Sequence, residues 1–155
     1  MNLFLGIDPG SASGAIAGID ENGSPLFAVD CNGTPAELHQ QYLLIRSRFP
    51  QDILLAGLEK VHTMPKQGIV SAGKFMENFG AWQMLLLARE IPYELVTPQA
   101  WMKVILATAG TTSDGSLEYC KRKYPQLDWK RKKDHNRAEA LCLAAWSRQR
   151  TYMTL

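Results

Sequence analysis

Cysteine is scarce in this chain. Cys31, Cys120 and Cys142 are three among 155 residues, odd in number and far apart. They form no CxxC pair and no zinc spacing, which excludes a disulfide scaffold and points to a reduced, intracellular setting. Long apolar runs are missing too. None approaches the roughly 18–20 residues of a membrane span, and the opening MNLFLGIDPG lacks the basic start and long apolar stretch of a signal peptide. A cytoplasmic protein that does not engage a membrane is expected. There is no internal repeat, no linker and no low-complexity tract beyond one basic stretch. What remains, 46% hydrophobic and 21% charged, is ordinary globular composition, so disorder is excluded. The length suits one domain over residues 1–155, able to bury about two-thirds of its unfolded surface without a disulfide or metal staple.

The net charge of +2 hides an asymmetry. Residues 1–120 carry 7 Lys/Arg against 12 Asp/Glu, whereas residues 121–155 carry 10 against 3. The densest stretch is Lys121-Arg122-Lys123 followed by Lys130-Arg131-Lys132-Lys133. A basic region on an otherwise acidic protein is what a polyphosphate partner requires, because Lys and Arg displace its condensed counterions. Charge runs also serve as solubilising helix faces.

Apolar patterning predicts an α/β chain. Asn2–Asp8, Ser13–Ile19 and Pro25–Cys31 read as strands, with Pro9-Gly10 and Asp20-Glu21-Asn22-Gly23 as turns, giving an antiparallel meander. Thr34-Pro35-Ala36-Glu37 reads as a capped helix start, running to about Phe49 with Leu38, Tyr42 and Ile45 on one face. Ile53–Leu58 is apolar without alternation, the signature of a strand covered on both sides. A long amphipathic helix is expected from Ile69 to Glu90, with Phe75, Phe79, Trp82 and Leu86 at helical spacing. Pro92–Val96 is a further strand, and Thr97-Pro98 caps a helix containing Trp101. Two more helices follow, from Ser113 to near Tyr124 and from near Asp134 to about Arg150. The expected fold is a mixed five-stranded sheet, three antiparallel strands and then parallel ones, flanked by helices.

Acids mark the candidate site. Asp8 and Glu59 end two apolar strands and emerge at one sheet edge if those strands are neighbours. Asp134 and Glu139 open the last helix. Gathered carboxylates repel and raise each other's pKa, and a hard divalent cation relieves this. Mg2+ takes oxygen ligands in an octahedron, and two such ions can hydrolyse a phosphodiester. Each acid also has a plainer reading: Asp8 as a turn residue, Glu59 in a surface pair with Lys60 or Lys66, Asp134 as a helix cap. At about 100° per residue, His135 and Glu139 share a helix face, while Asp134 lies about 140° from Glu139. Asp134 therefore reaches the site only from outside the helix, and His135 competes with it as ligand or general base.

Taken in order, these segments resemble the RuvC family of Holliday-junction resolvases, in the small phage- or prophage-type branch of the RNase H-like superfamily. Gly6-Ile7-Asp8-Pro9-Gly10 with Gly14 is similar to the first-strand motif, and Leu58-Glu59-Lys60-Val61 to the second acidic motif. Phe79-Gly80-Ala81-Trp82 lies in the helix that carries much of the dimer contact in the family. Pro98 and Lys103 resemble a segment with a backbone-binding lysine, and residues 134–141 resemble the closing acidic helix. The resemblance covers nearly the whole chain. It implies a homodimeric endonuclease that nicks two strands of like polarity across four-way DNA junctions with two Mg2+ ions, Mn2+ being an expected substitute. Asp8, Glu59 and Glu139 would be catalytic metal ligands, with the fourth place taken by Asp134 or His135.

The sequence departs from the family at three places. Asn136 stands where bacterial members carry an acid or histidine, three residues before the last acid. His62 stands in place of an aromatic wedge. Thr111-Thr112-Ser113-Asp114 replaces a lysine-bearing turn near Gly110, which moves the expected phosphate contacts to Lys121–Lys133. The DNA contacts expected are thus His62, Lys66, Lys74, Lys103, Lys130, Arg131, Lys132, Lys133 and Arg137, while Trp129 is expected to anchor the basic loop. Two rival readings are a branched-DNA-binding module with an incompetent metal site and a sugar-kinase or actin-like ATPase. The second needs two such domains around a nucleotide, more than 155 residues supply.

Overall fold

The computed structural model of the chain describes residues 1–107 and 115–153. Five strands, β1 (Asn2–Asp8), β2 (Ala15–Asp20), β3 (Pro25–Asp30), β4 (Asp52–Glu59) and β5 (Tyr93–Val96), form one sheet in the order β3-β2-β1-β4-β5. The β1–β2 and β2–β3 pairs are antiparallel, and the β1–β4 and β4–β5 pairs are parallel. This is the mixed sheet expected from the patterning. β2 begins at Ala15 rather than Ser13. The backbone folds tightly over Gly14, where a Cβ would lie 2.9 Å from the carbonyl oxygens of both Asp8 and Cys31.

Both sheet faces are covered. Strand alternation sends Leu3, Leu5 and Ile7 of β1 to one face and Phe4 to the other. On the first face lie α1 (Pro35–Arg48) and α2 (Ile69–Ala88), which bury Leu38, Tyr42, Phe79, Trp82 and Leu86. α1 starts as its sequence dictates: the Thr34 hydroxyl accepts from the Glu37 N–H at 3.3 Å, and Pro35 opens the first turn. On the second face, α3 (Pro98–Ile105), α4 (Gly115–Lys123) and α5 (His135–Met153) pack around Phe4, Trp101 and Leu141.

The start predicted at Ser113 and the segment Thr111–Asp114 lie outside the described residues. A single 3-10 turn, Lys132–Asp134, precedes α5, so Asp134 does sit on a non-α lead into the last helix. No helix among the described residues is long and apolar enough to cross a membrane.

Candidate metal centre

Asp8 and Glu59 are the last residues of β1 and β4, parallel neighbours in which Gly6 pairs with Gly57 and Ile7 with Leu58. Period two puts Gly6 and Asp8 on the α5 face, together with Gly57 and Glu59. The two glycines let the helix approach. A Cβ on Gly6 would collide with the carbonyl oxygen of Ala140 and the backbone nitrogen of Ala144, and one on Gly57 would lie 2.7 Å from Ser147 Oγ. The small residues Ala140, Ala144 and Ser147 of α5 therefore rest directly on the sheet, and the Ser147 hydroxyl donates to the Leu5 carbonyl at 3.0 Å. Docked this way, α5 delivers Glu139 to the strand ends. Ligand oxygens of Asp8, Glu59 and Glu139 all lie within 4.8 Å of one another.

The three acids perturb each other. Burial pushes the Asp8 carboxyl well above the usual range, and the charges of Glu139 and Glu59 push it further. Burial and then the Glu59 charge raise Glu139 to about 7, against the pull of its hydrogen bond with Asp8. Glu59 is raised by burial, while the Trp101 indole draws it back down. An all-oxygen set held this close, with no cationic side chain among its perturbing neighbours, fits hard divalent cations.

Two supporting residues went unseen in the sequence. The indole N–H of Trp101, wholly buried on α3, donates to Glu59 Oε2 at 2.7 Å. Asn78 on α2 accepts from the Gly10 N–H at 2.9 Å and donates to the Gly33 carbonyl at 3.2 Å, clamping the turn after Asp8. Thr97-Pro98 betrays the helix that carries Trp101, but nothing local betrays a partner 42 residues away.

The other candidates are distributed as follows. Neither Asp134 nor His135 joins the acid cluster. Asp134 is buried, and its carboxylate is taken by Arg131 at 2.7 Å, Arg137 at 3.0 Å and the Arg131 backbone N–H at 2.8 Å. Burial pushes this carboxyl up, but those hydrogen bonds and the Arg137 charge outweigh it and hold it below the usual range. Its oxygens are thus engaged by guanidinium groups rather than gathered with the other three acids. His135 is exposed, with Nδ1 3.3 Å from the Lys132 carbonyl oxygen. Asn136 occupies the first turn of α5, three residues before Glu139.

Among the expected DNA contacts, His62 and Lys66 are exposed on the connection after β4, Lys74 on α2 and Lys103 on α3. Lys74 lines a groove with Ser11, Gly33 and Asn78, beside the turn that follows Asp8. Lys130 and Lys132 are exposed, and Lys133 lies 4.0 Å from Asp30. The arginines are engaged within the fold. Arg131 bridges Asp30 at 2.9 Å as well as Asp134. Arg137 donates to the carbonyls of Ala28 and Asp128 at 2.7 and 2.8 Å and lies over the Trp129 ring. Its side chain is only 13% exposed. Trp129 is buried and donates to the Tyr124 carbonyl at 2.8 Å, anchoring the basic loop.

Among solved structures, the chain is similar to Thermus thermophilus RuvC in complex with a Holliday junction substrate. The identity is 14% and the TM-score 0.72, covering 99% of this chain and 96% of that one. It is also similar to the fowlpox virus Holliday junction resolvase, at 13% identity and a TM-score of 0.58, covering 99% of each chain. No family model and no curated protein matches. At these identities the likeness establishes a shared fold: the chain has the RuvC-type, RNase H-like architecture.

Proposed function

We propose that this chain is a structure-selective DNA endonuclease that resolves four-way junctions by divalent-metal-dependent phosphodiester hydrolysis. It acts as a single domain over residues 1–155, as a homodimer and in the cytoplasm. The observation that carries this reading is the convergence of Asp8, Glu59 and Glu139 within 4.8 Å at the ends of β1, β4 and the start of α5. The fold shared with two proteins described as a RuvC and a Holliday junction resolvase supports branched DNA as the substrate class.

Asp8, Glu59 and Glu139 would hold two Mg2+ ions, for which Mn2+ would substitute. When bound, such ions activate a water and stabilise the departing oxygen of a phosphodiester. The chain's own residues prepare the site. Asn78 holds the Asp8 turn, and α5 rests on Gly6 and Gly57, so the carboxylates stand in place before substrate arrives. Exposed lysines, Lys66, Lys74, Lys103, Lys130, Lys132 and Lys133, would contact phosphates along the arms. Products carrying 5′-phosphate and 3′-hydroxyl ends are expected.

A second reading, a weak or inactive branched-DNA-binding module, is favoured by one observation. The cluster holds three carboxylates, with Asp134 neutralised by Arg131 and Arg137 and an uncharged Asn136 in the first turn of α5. Incubation of an end-labelled four-way junction and a plain duplex with Mg2+ separates the readings. The nuclease nicks the junction in preference to the duplex, and EDTA or Asp8→Asn abolishes nicking. Junction binding without nicking in either Mg2+ or Mn2+ leaves the binding module.

A further inference from the structure

Trp101 is the one side chain outside the acid cluster that donates a hydrogen bond to it, among the hydrogen bonds seen in the described residues. Its ring is fully buried, packed with Leu106, Cys120 and Leu141 in the core beneath α5. The ring cannot swing away without opening that core. Its backbone is equally constrained. Thr97 caps α3 by accepting from the Ala100 N–H at 3.3 Å, and Val96 immediately before it pairs with Glu59 itself. Donor and acceptor therefore belong to one rigid unit, the β4–β5–α3 corner.

The consequence lies in the two oxygens of Glu59. The indole N–H engages Oε2 at 2.7 Å, and among the described residues no hydrogen bond to Oε1 is seen. With one Oε2 lone pair committed to the indole, Oε1 is the oxygen better placed to meet a cation. Mg2+ and Mn2+ suit one-oxygen ligands, since Mg2+ demands a compact octahedron and retains waters. Ca2+ takes six to eight oxygens and readily accepts both oxygens of a single carboxylate. From this geometry we infer that Trp101 is a positioning and specificity-determining residue, favouring one-oxygen coordination by Glu59 and biasing the centre toward small octahedral cations over calcium. The inference rests on the metal-centre reading above and adds to it a determinant of which ion is taken.

The test is calorimetric titration of the full chain with Mn2+ and, separately, with Ca2+, so that no turnover is needed. Trp101→Phe keeps an aromatic ring and removes the N–H. Trp101→benzothienylalanine keeps the bicyclic shape and removes only the donor, which covers the case in which the smaller ring unsettles the core. Trp129→Phe is the matched control, deleting another indole N–H from the same core without touching Glu59.

Removing the Trp101 donor should weaken Mn2+ binding by about tenfold, the usual scale for losing a group that orients a metal ligand. Ca2+ binding should hold or strengthen, and Trp129→Phe should leave the Mn2+ to Ca2+ ratio unchanged. If both Trp101 variants keep the wild-type ratio, or lose both ions in equal proportion, the residue is merely structural and the inference is overturned. If the wild-type chain binds neither ion, or Glu59→Gln binds Mn2+ as tightly as wild type, the metal-centre reading itself falls and takes the inference with it.

Discussion

Glu139 keeps its proton up to about pH 7 because burial and the Glu59 charge disfavour its carboxylate, against an ordinary value of 4.5. Between those two pH values the folded state binds the proton more tightly than the unfolded chain does. The associated stability is complete below the unfolded value and is lost as pH rises through 7. At about 1.4 kcal/mol per pH unit, the loss is on the order of 3 kcal/mol. In EDTA, thermal melts should therefore show a falling Tm between about pH 5 and about pH 7.5, and Mn2+ should restore it at the upper end. Glu139→Gln should reduce this slope, the remainder being carried by Asp8 and Glu59, whose carboxyls burial also raises; an unchanged slope in that variant would place the titration elsewhere. Asp134 acts with the opposite sign, since its lowered carboxyl contributes stability that is lost as the solution is acidified. The contrast between these two acids also marks how far the sequence could be read. The apolar runs before Asp8 and Glu59 place both at strand ends, where the structure brings them together; the position alone marks no site, since Asp20 also ends a strand and only accepts from its own turn. Asp134 pairs instead with Arg131 and Arg137, a placement that a helix wheel does not give because it does not say whether a neighbouring guanidinium turns inward.

At the scale of elements, strand and helix positions followed from apolar runs and caps, and the Thr34-Pro35 and Thr97-Pro98 starts carry the cap hydrogen bonds that their sequences imply. Which helix covers which sheet face was not legible, because the parallel strands are apolar on both sides and carry no directional pattern. The marker is subtler. Gly6 and Gly57 form a flat lane, and Ala140, Ala144 and Ser147 are the small residues that fit it. This packing makes a graded prediction. A methyl on Gly6 meets α5 backbone, which moves only if the helix moves, so Gly6→Ala should destabilise by about 3 kcal/mol or more and weaken cation binding by displacing Glu139. At Gly57 the nearest atom is the Ser147 hydroxyl, a removable obstacle. Gly57→Ala should thus be milder, and Ser147→Ala should offset part of its loss, a coupling of roughly 0.5 kcal/mol or more in a double-mutant cycle. Strict additivity in urea unfolding would contradict this close approach.

At the scale of the whole molecule, the unassigned feature is a surface rather than a pocket. Ile69, Met76, Met84 and Leu87 are exposed on α2, and Gly73 and Gly80 lie between them at helical spacing. At 100° per residue all six fall within roughly 80° of arc, opposite the buried Asn78, Trp82 and Leu85. A single copy leaves this strip facing water, where contiguous apolar surface is unfavourable. Nothing lies within 4 Å of a Cβ built on Gly73 or Gly80, so another backbone could approach closely there. The proposed homodimer gives the strip a partner of matching chemistry. In a two-fold pairing the same residues meet on both copies, and a helix of this length, about 30 Å, can supply much of the roughly 800 Å² per partner that a stable interface buries. Such pairing would also set two acid clusters in a fixed relation, as cutting two strands of one junction requires. Met84→Glu places two charges across that seam without disturbing the core, since Met84 is 64% exposed in one copy. Sedimentation equilibrium should give a dimer for the wild-type chain and a monomer for Met84→Glu. The monomer should still bind Mn2+ and nick single strands, while the simultaneous pair of nicks that releases linear products from a cruciform plasmid disappears. If Met84→Glu sediments like wild type, α2 is not the seam, and the apolar strip has some other occupant.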